Sequence, residues 1–325
     1  MTSPFSGLEV DEEHRPKPRA FDFDLDERLS SVMALEARIS PEAYTAETLG
    51  TERIGNAIAL NRDGLILTIA YLVTEADEVV LTTVDGRKVE AHVLGVDAVT
   101  GLGLMQALTP LDLPPLPIGD SRRLDPDAVV ISAGGGGRAH ASAGHVLARA
   151  PFSGYWEYHL DEALFVEPAH PHWSGAALIG EAGELVGIGS LRMEQLTAAG
   201  EVRPLNMFVP AELLPPILDD LASGRPAHPP RPWLGLLAQE MDNHVVVLGV
   251  SRDSPAGRAE LRRGDVIREI GGQRVNDLAS FYKRLWSLGA PGAVAPLTLQ
   301  RGGDLFEVDV RSGDRASRLR KRRLN

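Results

Sequence analysis

The sequence predicts a mainly β protein, two small packed barrels followed by a smaller third unit. Three observations carry that reading. Thirty-three Gly and 23 Pro with only 5% aromatic residues suit many short strands and tight turns better than a helical bundle. Strand-length apolar runs punctuated by Gly and Asp recur in two successive sets between Arg53 and Ile188, which favours paired barrels over alternating β/α units. The stretch Arg225–Pro232, with Pro226, Pro229, Pro230 and Pro232, reads as a stiff linker and sets off the C-terminal third of the chain as a domain of its own. At 325 residues and 43% hydrophobic, the chain is long enough for each part to bury a core.

Taken in order, residues 1–22 mix Pro, Glu, Arg and Ser without periodicity and predict a mobile arm. Residues 23–224 form the main domain. Its apolar positions Leu25, Leu29, Val32, Met33, Leu35 and Ile39 suit a helix that Pro41 ends. Strands are expected at Ile54–Leu60, Leu65–Val73, Glu78–Val84, Lys88–Val96 and Leu102–Leu108, with turns at Asp63-Gly64 and Asp85-Gly86. A second set covers Ala128–Ala133, Gly144–Ala150, Tyr155–Val166, Ala176–Ile179 and Leu185–Leu191, its last hairpin turning at Glu181-Ala182-Gly183. Ala211–Ser223 reads as a closing helix ended by Gly224. After the linker at 225–232, a third unit over 233–312 mixes strands with helical segments near Ala256–Leu261 and Asp277–Leu288. The end, 313–325, is a basic tail.

Composition narrows the function classes. A formal charge of −12 argues against general nucleic-acid binding, which needs a basic surface or stripe. Without cysteine there is no disulfide framework, thiolate metal site or cysteine nucleophile. Chemistry must come from Ser, His, Asp and Glu, and no cofactor is expected. Met1–Ala20 carries Asp11, Glu12 and Glu13 and no apolar run, so the chain as written is expected to be cytoplasmic, or periplasmic if its true start lies upstream. No window approaches the ~18 apolar residues of a membrane span.

Two stretches carry a resemblance. Gly64-Leu65-Ile66-Leu67-Thr68-Ile69-Ala70-Tyr71-Leu72-Val73, followed by Asp85-Gly86-Arg87 and Gly95-Val96-Asp97, resembles the HtrA segment D-G-x-I-L-T-N-x-H-V-V and its continuation through D-G-x to G-x-D. Ser174-Gly175-Ala176-Ala177-Leu178, then Gly183-Glu184-Leu185-Val186-Gly187-Ile188, resembles the nucleophile strand G-N-S-G-G-P-L and the following G-x-V-I-G-I. Phe208-Val209-Pro210 is similar to the F-A-I-P before the family's last helix. The resemblance implies a chymotrypsin-like double six-stranded β-barrel followed by a PDZ domain, and a DegP-like role in protein quality control. It also implies a homo-oligomer, a trimer in the family, with Leu25–Tyr44 the place to look for subunit contacts.

Aligned on these motifs, the site departs from the family. The general-base histidine falls on Tyr71 and its orienting aspartate on Gly101. Ser174 keeps the nucleophile's type, while the glycine whose N–H helps form the oxyanion hole is His172. A phenol with a pKa near 10 is only ~0.1% ionised at neutral pH, and Gly101 has no side chain with which to orient it, so Ser174 is expected to be an ordinary alcohol. Two alternatives stay open. His172 or His170 could act as a substitute base in a Ser-His dyad, at the cost of a bulky residue in the oxyanion turn. The same histidines, with Glu167, His159, His140 or His145, could hold a metal, although spacing alone is weak evidence for one. Gly134–Gly137 lacks the following Lys-Ser/Thr of a phosphate loop. Phe152, Tyr155, Trp156 and Tyr158 suit core and interface, or the lining of a peptide groove.

In the third unit, Trp233-Leu234-Gly235-Leu236 resembles the carboxylate-binding loop of HtrA PDZ domains. Ser254-Pro255-Ala256, Arg263-Gly264-Asp265-Val266-Ile267, Ile270-Gly271-Gly272 and Val275 follow the family's order, with Glu260 standing where a glycine is usual. The resemblance implies that backbone N–H groups of Leu234, Gly235 and Leu236 receive a terminal carboxylate and that the peptide adds as a strand. Leu278, Phe281, Leu285 and Leu288 recur at helical spacing and would line the pocket for its last side chain. Two classes compete: an inactive HtrA relative that binds peptides or protein C-termini as an adaptor or scaffold, and an endopeptidase with a non-standard site at Ser174. The tail Arg318-Leu319-Arg320-Lys321-Arg322-Arg323 reads as a solvated basic segment that could dock on an anionic surface.

Overall fold

A short helix, α1 (Leu25–Ser30), ends one residue before strand β1 (Val32–Ile39) begins, where one continuous helix was expected. The Asp24 side chain caps α1 by accepting from the Glu27 N–H at 3.1 Å, and Leu25 and Leu29 turn into the protein. From Val32 to Leu35 four consecutive residues are buried. A helix on the surface can bury only one stripe, whereas a strand inside a closed barrel buries both faces, so the run selects β. The apolar positions of this segment are thus spent within the chain.

The computed structural model describes residues 4–125, 127–196 and 200–320. After β1 come helix α2 (Ala46–Leu49), β2 (Glu52–Ala59), β3 (Leu65–Ile69), helix α3 (Ala70–Val73), β4 (Ala76–Thr82), β5 (Lys88–Val96) and β6 (Leu102–Ala107). They close in the order β1-β2-β3-β6-β5-β4. The expected strand Leu65–Val73 therefore stops at Ile69, and Tyr71 sits on the helical turn α3. A second barrel closes as β10-β11-β12-β9-β8-β7, from β7 (Val129–Ala133), β8 (Ala141–Gly154), β9 (Tyr158–Glu167), β10 (Ala177–Ile179), β11 (Leu185–Leu196) and β12 (Val202–Pro210). The expected helix Ala211–Ser223 is broken into two 3₁₀ turns, Ala211–Leu213 and Pro215–Ile217, before α4 (Leu218–Ala222). Pro215 and Pro216 remove the amides that a continuous helix would use.

The third unit holds β13 (Leu236–Met241), β14 (His244–Val250), α5 (Pro255–Arg258), β15 (Val266–Ile270), β16 (Gln273–Arg274), α6 (Leu278–Ser287), β17 (Val294–Arg301) and β18 (Asp304–Arg311). Its sheet runs β13-β14-β15-β17-β18, with β16 paired to β15. Leu236, Val247, Phe281, Leu285 and Leu297 are among its core residues. Helix α5 ends in a Schellman arrangement: the Glu260 N–H donates to the Gly257 carbonyl and the Leu261 N–H to the Ala256 carbonyl. That motif places Glu260 in the left-handed region at φ +59°, the conformation a glycine would adopt more readily.

The described residues divide into two compact units. One comprises everything up to Ala150 together with Glu162–Ala227, and holds both barrels; the other comprises Pro151–Asp161 and His228–Arg320. The tip of the β8–β9 hairpin thus belongs to the unit built around β13–β18.

The first residues differ from a mobile arm. Phe5 and Val10 are buried, and the Val10 N–H donates to the Ala139 carbonyl at 2.8 Å. Two apolar side chains in an otherwise polar segment are enough to dock it. At the other end Ala316–Arg318 forms a 3₁₀ turn; the rest of the basic tail from Lys321 onward lies outside the described residues. Among the described residues no helix is long and apolar enough to cross a membrane.

Candidate active site and peptide groove

Ser174 and Tyr71 come from different barrels and meet. The Tyr71 hydroxyl lies 2.8 Å from Ser174 Oγ and 2.8 Å from the Ser190 carbonyl oxygen. The phenol has one proton and donates to only one of these partners. A carbonyl can only accept, so the phenol donates to Ser190 and the Ser174 hydroxyl donates to the phenolic oxygen. Burial pushes the Tyr71 phenol up to about 12, with the Ser174 hydrogen bond opposing the shift. At that value only about one molecule in 10⁵ carries a phenolate at neutral pH. Arg53, itself buried, fixes the turn that carries Tyr71 by donating to the Tyr71 carbonyl at 2.5 Å and the Thr74 carbonyl at 3.0 Å.

Gly101 offers only backbone to this site. Its carbonyl accepts from the Ala70 N–H at 2.7 Å, which anchors the start of α3, and its φ of +80° lies in the left-handed region. The nearby Asp97 carboxylate accepts from the Thr100 N–H at 2.7 Å and the Thr100 hydroxyl at 2.8 Å, holding its own loop.

The histidines are committed elsewhere. His170 is fully buried; its Nδ1 accepts from the His172 N–H at 3.1 Å, and its Nε2 lies 3.0 Å from the His140 carbonyl. With one nitrogen accepting and the other donating, the ring is a neutral tautomer, and burial lowers its pKa to about 4. The His172 ring packs on Phe5 with centroids 4.3 Å apart, and its Nε2 donates to the Leu8 carbonyl at 2.7 Å. The His172 N–H, expected from the resemblance to stand at the oxyanion position, is therefore spent on a neighbouring imidazole. Among the described residues no group of three or more His, Asp or Glu side chains converges as a metal-ligand set.

Asn56 on β2 ties the segment together. Fully buried, it donates through Nδ2 to the carbonyls of His172 at 2.8 Å and Ser174 at 2.9 Å, and accepts from the Gly135 N–H at 2.8 Å. The glycine loop Gly134–Gly137 is thereby a structural partner of the serine strand. Gly135 must be glycine, since a Cβ there would lie 2.1 Å from the Ala34 nitrogen.

The second candidate site is the loop before β13. The N–H groups of Gly235 and Leu236 donate to Glu157 Oε1 at 2.6 and 2.9 Å, and the Leu234 N–H reaches Oε2 at 3.1 Å. One turn away along the strand, the Ala238 N–H donates to the Tyr155 carbonyl at 2.9 Å. On the facing helix α6, the Tyr282 hydroxyl donates to the Gly154 carbonyl at 2.8 Å, and Lys283 pairs with Asp161 at 2.7 Å. Burial raises the Glu157 carboxyl to about 7, with the three amides and Arg315 opposing. Gly235, at φ +79°, brings the loop against Ser254; a Cβ would lie 2.3 Å from the Ser254 Cβ.

Comparison with known proteins agrees with this architecture. A trypsin-like peptidase domain matches residues 55–188 and a PDZ domain matches residues 232–311. This pairing of a peptidase domain with a PDZ domain makes the chain similar to HtrA-type serine proteases. A probable periplasmic serine endoprotease, DegP-like, of Halomonas elongata is 27% identical over 278 residues, covering 80% of this chain and 56% of the relative. The serine protease Do-like HtrA of Lactobacillus helveticus is 24% identical over 276 residues, covering 77% and 65%. The chain spans between half and two thirds of the length of such relatives. Among solved structures, the HtrA-type protease AlgW with tripeptide superimposes with a TM-score of 0.52 at 21% identity, covering 88% of this chain and 94% of that one. The serine endoprotease from Yersinia pestis gives 0.50 at 19% identity, covering 90% and 98%.

Within this chain, Ser174 and Tyr71 are brought into contact, whereas Gly101 and His172 face other partners. Of the residues expected at the PDZ groove, Leu234, Gly235 and Leu236 direct their amides at Glu157. Trp233 is bridged to Gly313, and Leu278, Phe281 and Leu285 belong to the hydrophobic core of this unit. Sequence reasoning missed Asn56, Ser190, the docking of Phe5 and Leu8, and above all Glu157. An asparagine inside an apolar strand and a lone carboxylate inside an aromatic run, Phe152 to Tyr158, were the available signals.

Proposed function

We propose that this HtrA-type chain does not hydrolyse peptides and serves as a peptide-binding adaptor through its PDZ domain. The observation that carries the first half is the pair of hydrogen bonds at the Tyr71 hydroxyl. General-base catalysis requires a group that takes the serine proton near neutral pH. Here the partner of Ser174 is a phenol whose own proton is directed at a carbonyl and whose pKa is raised to about 12. The oxyanion position supports the same reading, because its N–H is engaged by His170, and losing one such donor alone typically costs ~10²–10³ in rate. The second half rests on the preserved backbone donors of Leu234, Gly235 and Leu236, which bind a carboxylate in this structure and need no catalytic residue.

The test uses the full chain. A fluorophosphonate probe is expected to leave the protein unlabelled, and casein to remain intact. Labelling that disappears in Ser174→Ala would overturn the proposal. Two further parts of the reading derive from relatives. A homotrimer is expected from the family, and light scattering of the purified chain checks it. The Halomonas elongata relative is periplasmic by name, and fractionation of cells tests that compartment for this chain.

A further inference from the structure

The PDZ groove is filled by the chain's own hairpin. A peptide captured by such a groove makes two kinds of backbone contact: its terminal carboxylate sits on the amides of the loop, and its preceding residues pair with the adjacent strand. Residues 155–157 reproduce both. The Glu157 side chain supplies a carboxylate to the Leu234, Gly235 and Leu236 amides. Two residues earlier, the Tyr155 carbonyl accepts from Ala238, two residues along β13 from Leu236. The hairpin also reaches the other wall of the groove through Gly154 on Tyr282 and Asp161 on Lys283.

The geometry around Glu157 suits this docking and little else. Its backbone lies at φ +57°, in the left-handed region that a glutamate adopts only under constraint. Its N–H reaches the Tyr282 hydroxyl at 3.3 Å. The carboxylate is buried, and a buried carboxylate without donors is strongly disfavoured. Trp156 and Tyr158 stack on either side of it in sequence, with centroids 5.5 Å apart, while Tyr155 stays 54% exposed. An exposed aromatic tip, a turn in a strained conformation and a side chain docked by hydrogen bonds describe a segment that can leave as a piece.

We infer that residues 155–157 are a resident ligand of the PDZ groove, and that a peptide with a free C-terminal carboxylate enters only by displacing Glu157. The inference rests on the adaptor reading only for the identity of the competitor. A tethered ligand acts at an effective concentration in the millimolar range, so an external peptide of micromolar intrinsic affinity is weakened by the fraction of chains with an open groove.

Three measurements on the full chain test this. Hydrogen exchange of the Leu234, Gly235 and Leu236 amides is expected to be slow without any peptide and to quicken about tenfold or more in Glu157→Ala, whereas Glu157→Gln, which keeps an acceptor oxygen, stays closer to the unmutated chain. Equal exchange in all three chains, each with an unchanged melting temperature, would sink the inference. A fluorescein-labelled decapeptide ending in a free-acid valine is expected to bind Glu157→Ala at least about tenfold more tightly than the unmutated chain. Should Glu157→Ala fail to fold, the unmutated chain suffices: saturating the same peptide must speed exchange at the Glu157 amide, and binding without that change overturns the inference. If no peptide binds any variant while the loop amides still open in Glu157→Ala, the adaptor reading fails and the resident ligand stands.

Discussion

The Ser174 site and the PDZ loop are each satisfied from within the chain, and the way they are satisfied differs. At Ser174 the partner is Tyr71, a residue of a short helical turn held by Arg53 and by the Gly101 carbonyl. At the PDZ loop the partner is Glu157, at the tip of a hairpin. The first arrangement joins a hydroxyl of one barrel to a hydroxyl of the other, and opening it would expose the seam between two barrels. The second occupies intact binding machinery with a segment attached at a turn. One partner is built into a barrel, whereas the other is carried on a hairpin.

The largest effect tests whether the Ser174 site lacks only its base. Tyr71→His combined with Gly101→Asp is expected to leave casein turnover at least ~10²–10³ below that of an intact relative, because the His172 amide stays engaged by His170. Gly101 also lies at φ +80°, where an aspartate is strained. Robust hydrolysis by the double variant would show that the oxyanion turn can rearrange. Next comes Asn56→Ala, which strips the buried amide from two carbonyls and the Gly135 N–H. Unpaired buried groups put the loss at roughly 3 kcal/mol, read by urea denaturation; a loss below ~1 kcal/mol would mean that water replaces the side chain. Tyr71→Phe removes one hydroxyl with two contacts and should cost about 1–2 kcal/mol.

The PDZ side is sharpened by pH. Glu157 has its pKa raised to about 7 from the ordinary value near 4.5, by burial first, in a setting that also contains Arg315 and the Tyr282 hydroxyl. The docked hairpin therefore binds more protons than the released one between those values. Docking is strongest below about pH 4.5 and weakens as the pH rises toward 7. Exchange at the loop amides, corrected for its intrinsic pH dependence, should follow that curve in the unmutated chain and flatten in Glu157→Gln. The smallest effect is at the helix end: Glu260→Gly relieves a left-handed residue in the Schellman turn and should raise stability by about 0.5 kcal/mol. Calorimetry showing a loss would place a native role on the glutamate side chain.

How much of this was legible beforehand depended on whether the signal was local. Turn residues, strand periodicity and the order of short motifs are local, and they gave the barrels and the PDZ elements. Tyr71, Gly101 and His172 could be singled out for the same reason, because each falls inside a motif with fixed spacing. What failed was long-range. Val32–Leu35 satisfies helical and strand spacing alike, and only closure of the barrel decides between them. Asn56 and Ser190 act on the Ser174 segment from other strands, and Glu157 meets its donors across some eighty residues of sequence. No spacing rule connects such partners, since contacts of this kind are fixed by topology.

The recognisable segment is also shorter than the unit that folds. The peptidase match begins at residue 55, yet β1 lies wholly before it and pairs with β2 on one side and β4 on the other. A chain trimmed to the match would lose a strand from the middle of a closed ring. Both neighbours would then present unpaired backbone edges, the usual seeds of intermolecular strand addition. Aggregation of such a fragment would report a missing stave in the barrel, and would say nothing about the intrinsic stability of the untrimmed chain.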